Sequence, residues 1–377
     1  MIYFDNASTT KISSNVLADY NNKVNSFYAN PNSIHHLGME VNNLINKNRD
    51  KTLDLLKLNK KEYEVIYTSS ATESNNLAII GYCLKNINRG KHIITSKIEH
   101  ASVLEPFRIL KEKYDFKIDY VEFLENGEID LEKFKKTINK ETILVSLMPV
   151  NNEIGLTLNL NKIKAELVKY PKCVLHCDCA QTLGKINFDY NVADMITLSS
   201  HKIHGLKSIA CLIKKKKIWL DPLFYGGGQE NNFRSGTQDY PLISSFTVAI
   251  NEILTNLNKN LAKVHLIFTF LINELKKNEE IIVHDYQNQC EFILNISLKT
   301  KKASVVVEAL SMKEIYVSSV SACSSKKEEP SYVLLALNKT LNEAKNTIRI
   351  SLCEDNTLEE AEIFVKNINE ILKNIRG

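Results

Sequence analysis

The sequence predicts an α/β protein built on a mainly parallel sheet with helices on both faces. Two observations carry this. Apolar strand-like runs alternate with helix-like segments through much of the 377-residue chain, the pattern of repeated βαβ units. Short polar signatures recur just after those strands, at Thr72, His100, Asn152, Asp178 and Lys202, where open α/β sheets place their ligands.

Taken in order, residues 1–15 read as an N-terminal arm in which Tyr3-Phe4 gives way to small and polar residues, Asp5 to Thr10, as if entering a site. Asn30-Pro31-Asn32-Ser33 is a turn cluster. Gly38 to Leu58 carries Val41, Leu44, Ile45, Leu55 and Leu56 at helical spacing. Strands follow at 65–68, 92–95, 117–122 and 142–148, with helices at 71–84, 102–113 and 161–170 between or after them. The run before Asp178, the run Met195–Leu198 and the run Ser208–Ile213 complete the strand series. Tyr225-Gly226-Gly227-Gly228-Gln229-Glu230 is expected to be the most flexible stretch.

From Pro241 to about Leu275 the pattern is one long helix leading into a second domain. That domain has strands at 292–298 and 315–317 and helices at 303–310, 332–337 and 358–375. The expected organisation is therefore an arm at 1–15, a large domain at 16–261 and a smaller one at 262–377.

Charged residues make up 24% of the chain and nearly cancel, leaving a formal charge of +4. That balance offers no electrostatic case for a nucleic-acid or membrane partner. No apolar run approaches the ~20 residues of a membrane span, and the opening Met-Ile-Tyr-Phe-Asp-Asn does not read as a signal peptide. Eight cysteines without framework spacing suggest reduced thiols and a cytoplasmic setting.

The site residues emerge from the strand ends. Ser199, Ser200, His201 and Lys202 follow the run ending at Leu198. A lysine held in an apolar pocket loses its proton near neutral pH and attacks a carbonyl to form a Schiff base. A solvated loop lysine is the plainer alternative. Asp178 ends the neighbouring strand, and an acid beside such a lysine suits pyridoxal phosphate, whose ring nitrogen it keeps protonated. A simple helix N-cap is the other reading of Asp178. Gln181 is placed to bond the ring oxygen. Ala71 and Thr72 open a helix whose free N–H groups suit a phosphate, unless Ser70 or Thr72 is only a cap.

Cys323 sits in a loop of small and polar residues, about 318–330, unlike the other cysteines, which have apolar neighbours. It is either a mobile nucleophile or an accidental surface thiol. Arg349, inside an apolar strand-like run, needs an anion, from a substrate carboxylate or from an internal salt bridge. His176 alternates in facing with Cys177 and Cys179, so these residues diverge and no metal site is expected. Lys214–Lys217 reads as a solvated hairpin end.

These motifs together resemble the NifS/IscS-type cysteine desulfurases, pyridoxal-phosphate enzymes of aminotransferase class V. The resemblance runs nearly end to end. It covers Tyr3 to Thr10, Asn30-Pro31 with Ser33 and His35, Ala71-Thr72-Glu73-Ser74-Asn75-Asn76, Glu99-His100 and Val150 to Gly155. It continues through His176, Asp178, Ala180-Gln181, Ser199, His201-Lys202, Arg234-Ser235-Gly236-Thr237, Ser321 to Ser325 and Ile348-Arg349.

The resemblance implies the fold-type I architecture of such transferases, with a large, mainly parallel seven-stranded sheet domain and a smaller α+β domain. It implies that Lys202 carries the cofactor as a Schiff base, Asp178 pairs the ring nitrogen and Gln181 the ring oxygen. His100 would stack on the ring and handle protons. Ala71, Thr72, Ser199 and His201 would hold the phosphate, with Thr237 reaching over from the second subunit of a homodimer. Asn152 would contact the cofactor and, together with Arg349, bind the carboxylate of L-cysteine. Cys323 would accept the sulfur as a persulfide, release L-alanine and pass the sulfur to an acceptor protein for iron–sulfur assembly or tRNA thiolation.

The chain departs from the family pattern at Ser200 and Val320, where glycine is usual, and at Leu206, where proline is usual. It also ends soon after Ile375, without the longer tail of members that dock an iron–sulfur scaffold. Two rival readings are another class V enzyme, such as a selenocysteine lyase or aminotransferase, and a non-catalytic RNA-associated protein using Lys214–Lys217.

Overall fold

The structure is a computed structural model that describes residues 1–319 and 329–374. Its strands in chain order are β1 (Ile2–Tyr3), β2 (Tyr63–Thr68), β3 (His92–Thr95), β4 (Lys117–Tyr120), β5 (Thr142–Ser146), β6 (Val174–Asp178) and β7 (Met195–Ser199). They continue as β8 (Ala210–Lys215), β9 (Ile281–His284), β10 (Ile293–Leu298), β11 (Ile315–Tyr316), β12 (Ser318–Ser319) and β13 (Thr347–Ser351). The helices are α1 (Ser14–Val24), α2 (His36–Leu55), α3 (Ala71–Asn76), α4 (Tyr82–Lys85), α5 (Ala101–Tyr114), α6 (Leu131–Thr137) and α7 (Leu160–Leu167). After them come α8 (Tyr240–Thr255), α9 (Leu257–Leu275), α10 (Ala303–Ser311), α11 (Tyr332–Ala336), α12 (Leu341–Lys345) and α13 (Leu358–Asn374).

Seven strands form one sheet in the order β2-β8-β7-β6-β5-β3-β4. Only β8 runs against its neighbours, pairing antiparallel with both β2 and β7. Alternate residues along each strand enter separate apolar clusters. Val65, Val145 and Ile213 pack on one face, while Ile66, Leu144 and Leu212 pack on the other. A sheet buried on both faces must be apolar at successive positions, which is why these strands read as continuous apolar runs. The carboxyl ends of β6 and β7 lie side by side, with Asp178 paired in register with Thr197. The strand order therefore brings Asp178 and the segment from Ser199 to Lys202 to one edge of the sheet.

A second, antiparallel sheet has the order β12-β13-β10-β9. Its core includes Ile296, Ile348 and Phe364, and also Ile2 and Phe4 from the start of the chain. The arm is fastened there by β1 pairing with β11 and by a bridge from Asp5 to Ser351. The ring of Phe4 meets Phe364 edge-on at 5.7 Å.

Several elements differ from the sequence reading. The expected helix at 241–275 is two helices broken at Asn256, whose side chain donates to Glu252 O and competes with the backbone ladder. The helix from Ala71 passes through a π-turn at Leu77–Gly81, where Gly81 O accepts from Asp221 N. A Cβ on Gly81 would stand 2.6 Å from Asp221 O, so this approach requires glycine. Short elements α1, α6, α12 and β9 escaped the sequence pattern.

The stretch expected to be the most flexible ends in Glu230, which is buried and accepts from Arg49 Nη2 and Tyr67 N. Lys214, expected in a solvated hairpin end, is fully buried against Phe233 and paired with Glu64 at 2.5 Å. No helix of the described residues is long and apolar enough to cross a membrane.

Because Phe364 is fully buried and holds the arm, Phe364→Ala should cost about 3–5 kcal/mol. Ile363→Ala, on the exposed side of the same helix, should stay within about 0.5 kcal/mol. Thermal and denaturant midpoints of the two variants check this contrast.

Candidate active site

The apolar strand β7 delivers its last residue, Ser199, to the sheet edge, and a single 3-10 turn, Ser200–Lys202, carries the amine into the site. Lys202 Nζ donates to Ala7 O at 2.5 Å and Ser8 O at 2.7 Å. These are main-chain carbonyls of the arm, with no carboxylate in contact among the described residues. Burial, then the nearby Lys185 and Arg349, push the amine down to about 7. Asp5 and Asp178 pull weakly the other way. At neutral pH a substantial fraction is therefore the free-base nucleophile that Schiff-base chemistry needs.

Asp178, at the end of β6, is buried. One carboxylate oxygen accepts from Asn75 Nδ2 at 2.8 Å and the other from Ala180 N at 3.0 Å. Asn75 also donates to Ser102 Oγ, linking the first helix of the site to α5.

His100 caps α5, where its Nδ1 accepts from Ser102 N at 3.1 Å. That bond leaves the proton of the neutral ring on Nε2. The ring lies open to solvent on the cleft yet is crowded by protein. Desolvation lowers its pKa, opposed by Asp178 and reinforced by Lys202 and Arg349. Those couplings bring His100, Asp178, Lys202 and Arg349 into one electrostatic neighbourhood. Beneath it Glu99 is fully buried, pushed up to about 8 by desolvation, and accepts from Ser96 Oγ and Met148 N.

Gln181 Nε2 donates to Ala7 O at 2.8 Å, the same carbonyl that holds Lys202. His201 sits behind, its Nδ1 3.2 Å from Thr9 Oγ1 and its carbonyl bonded by Thr10 N. Burial and the lysines at 202, 207 and 185 hold its pKa down to about 4. Arg349, on β13, donates to Asp5 Oδ1 at 2.8 Å, Ser8 Oγ at 2.6 Å and Asn152 O at 3.1 Å. Of the two readings weighed for this arginine, the internal salt bridge is the arrangement seen.

The residues present fit a phosphorylated pyridine aldehyde. Ser199 Oγ, Asn152 Oδ1 and Arg349 Nε are buried without a hydrogen-bond partner among the described residues, and buried polar atoms left this way invite a ligand. The N–H groups of Ala71 and Thr72, at the start of α3, meet no acceptor among the described residues, as an anion-binding helix start requires. The simple cap weighed for that start is present as well, since Ser70 Oγ accepts from Glu73 N.

Thr237 lies apart. It is exposed and lines a cleft of about 160 Å³ with Tyr67, Ser69, Ser208 and Arg234, away from Lys202. Arg234 is tied by its Nε to Glu73. Cys323 and Val320 fall outside the described residues; the described cysteines are all buried. His176 is buried and bonded on both nitrogens, to Ser146 Oγ and Thr197 Oγ1. The departure at Ser200 is matched by Gly205, where a Cβ would stand 2.0 Å from Ser200 Oγ.

Sequence reasoning missed Lys185, Asp5, and the carbonyls of Ala7 and Ser8. Lys185 follows Gly184 in a turn, and its residue type there gives no sign of its burial. Main-chain acceptors carry no residue-type signal at all.

The chain matches the aminotransferase class-V family model over residues 2–364. It is 32% identical over 380 residues to the cysteine desulfurase IscS 1 of Archaeoglobus fulgidus, covering 100% of this chain and 98% of that protein. Among solved structures, a NifS-like protein superposes with a TM-score of 0.92 at 32% identity, over 99% of this chain and 100% of that one. A structure described as SspA in complex with cysteine matches at TM-score 0.81 and 30% identity, over 93% and 99% of the two chains. With its lysine-bearing strand end and its seven-stranded sheet in place, the chain belongs to the aminotransferase class-V family, among the cysteine desulfurases of the NifS/IscS type.

Proposed function

We propose that this chain removes sulfur from L-cysteine, with pyridoxal phosphate held at Lys202 and the sulfur passing to Cys323. The observation that carries the reading is the Lys202 amine, held by two carbonyls beside Asp178 with its proton affinity cut to about 7. Ala71, Thr72, Ser199 and His201 would take the phosphate, Asp178 the ring nitrogen and Gln181 the ring oxygen. The bound cofactor supplies an electron sink for negative charge at the substrate α-carbon.

The chain's own residues do the rest. Arg349 binds the substrate carboxylate, which competes with Asp5 for the guanidinium, and the unpartnered Asn152 Oδ1 stands beside it as an acceptor for the amine. Neutral His100 carries its exchangeable proton on Nε2 and moves it in the cleft. The Cys323 thiolate bonds to the substrate sulfur as the carbon–sulfur bond breaks. The bonding pair returns to carbon, which is protonated, so cysteine leaves as alanine and the enzyme keeps a persulfide.

We read the chain as an arm at 1–15, a large domain at 16–261 and a smaller one at 262–377. Homodimer formation is supported by large apolar side chains left exposed on the single chain, among them Tyr28, Ile34, Leu37, Phe224 and Tyr225. In the dimer Thr237 would complete the partner's phosphate site. A cytoplasmic location and an iron–sulfur or tRNA-thiolation acceptor complete the reading.

Incubation with L-cysteine should add one sulfur to the Cys323 peptide, read by mass spectrometry, and Cys323→Ala should abolish it. Alanine release that survives Cys323→Ala would instead favour another class V activity. A second expectation follows from the free-base lysine. Capture of added pyridoxal phosphate by cofactor-stripped protein should rise with pH and reach half its maximum near pH 7. A solvated lysine would still be gaining at about pH 10.

A further inference from the structure

The site contains a second lysine, itself buried, that the reaction as described does not use. Lys185 is 5% exposed, in the tight turns that follow β6, where Thr182 O receives the N–H groups of Lys185 and Ile186. Gly184 makes the turn possible. Its φ is +76°, and a Cβ there would stand 2.1 Å from Ile253 Cγ1. The turn sets Lys185 four residues after Gln181, and Lys185 Nζ donates to Gln181 Oε1.

That bond fixes the amide. With Oε1 occupied by the lysine, the NH₂ end must face the arm, where one N–H reaches Ala7 O. The other N–H has no acceptor among the described residues. Ala7 O is also the acceptor of Lys202 Nζ, so the Gln181 NH₂ lies next to the reactive nitrogen. In pyridoxal phosphate the ring oxygen is ortho to the aldehyde carbon that joins that nitrogen. The free Gln181 N–H is thus the donor that would face the ring oxygen.

We propose that Lys185 is a positioning residue: it locks Gln181 in the amide orientation that offers N–H to the cofactor's ring oxygen, and it sets a second cation beside the Lys202 nitrogen. The inference rests on the reading of Lys202 as the cofactor's anchor. Both effects act in one direction. A hydrogen bond to the ring oxygen stabilises it as an anion, and a neighbouring cation opposes a proton on the Lys202 nitrogen. Lys185 is accordingly the largest charge effect on Lys202, after burial.

The groups that face Lys185 come from four places. They are Cys290 before β10, Arg349 on β13, Cys353 and Glu354 after β13, and Lys202 and His201 across the site. Burial, the largest influence, lowers Lys185 to about 8, so it is mostly charged at neutral pH. Glu354, held below the usual carboxylate range with help from His204 and Lys185, is the carboxylate that acts on Lys185.

The test is an absorbance titration of the cofactor-loaded protein. The visible band gives way to a near-ultraviolet form as the Lys202 nitrogen loses its proton. Lys185→Met should raise the midpoint by about one pH unit, a roughly tenfold tighter hold on the proton. Lys185→Gln keeps a donor without the charge and should fall between, while Lys185→Arg should stay near wild type. A neutral variant that binds cofactor yet titrates at the wild-type midpoint would overturn the proposal.

Should neither neutral variant fold, Gln181→Leu decides. It cuts the link from Lys185 to the ring oxygen, so the midpoint should rise, and an unchanged midpoint there overturns the amide-locking role. Failure of the underlying reading looks different, because wild-type protein would then take up no coloured cofactor at all.

Discussion

Two main-chain carbonyls of the arm, Ala7 O and Ser8 O, hold the amine around which the site is arranged. A carboxylate in their place would have stabilised the ammonium and kept the lysine protonated. Neutral carbonyls satisfy its hydrogens without adding a charge, and burial then works against the proton. The arm can serve in this way only because it is fastened at several points. Strand β1 pairs with β11, Phe4 packs on Phe364, and Thr10 bonds the carbonyl of His201. The first ten residues thereby join the second sheet to the edge of the first.

The rest of the site shows the same economy of charge. Arg349, Lys185 and Lys202 are three cations in one buried region, answered by Asp5, Asp178 and Glu354. Burial and the crowding of these cations show as lowered proton affinities at Lys202 and His201. A substrate carboxylate and a cofactor phosphate both bring negative charge to such a place. The orphaned polar atoms of Ser199, Asn152 and Arg349 lie in the same region, so the electrostatics and the hydrogen-bond vacancies point to the same class of ligand.

Much of this was legible in the sequence, for identifiable reasons. Strands buried on both faces must be continuously apolar, so β5, β6 and β7 stood out, and their carboxyl ends located Asp178 and Lys202. Boundaries that depend on tertiary contacts did not show. The π-turn at Leu77–Gly81 answers to a carbonyl bonded from Asp221, and the break at Asn256 to a side chain bonding its own helix. Lys214 looked like a surface residue because its partners, Glu64 and Phe233, are remote in the chain. The Ala7 and Ser8 carbonyls could not be read, since every residue has one. Lys185 was hidden by its setting in a turn, where a lysine is ordinarily solvated.

The account stands on the identity of one nitrogen, and the two lysines of the site make a sharp choice between candidates. Borohydride reduction of the cofactor-loaded protein, followed by peptide mass analysis, fixes the bond permanently where it forms. A single phosphopyridoxyl group on Lys202, with Lys185 unmodified, is the predicted result. The group on Lys185 or on any other lysine, or no group at all, would contradict it.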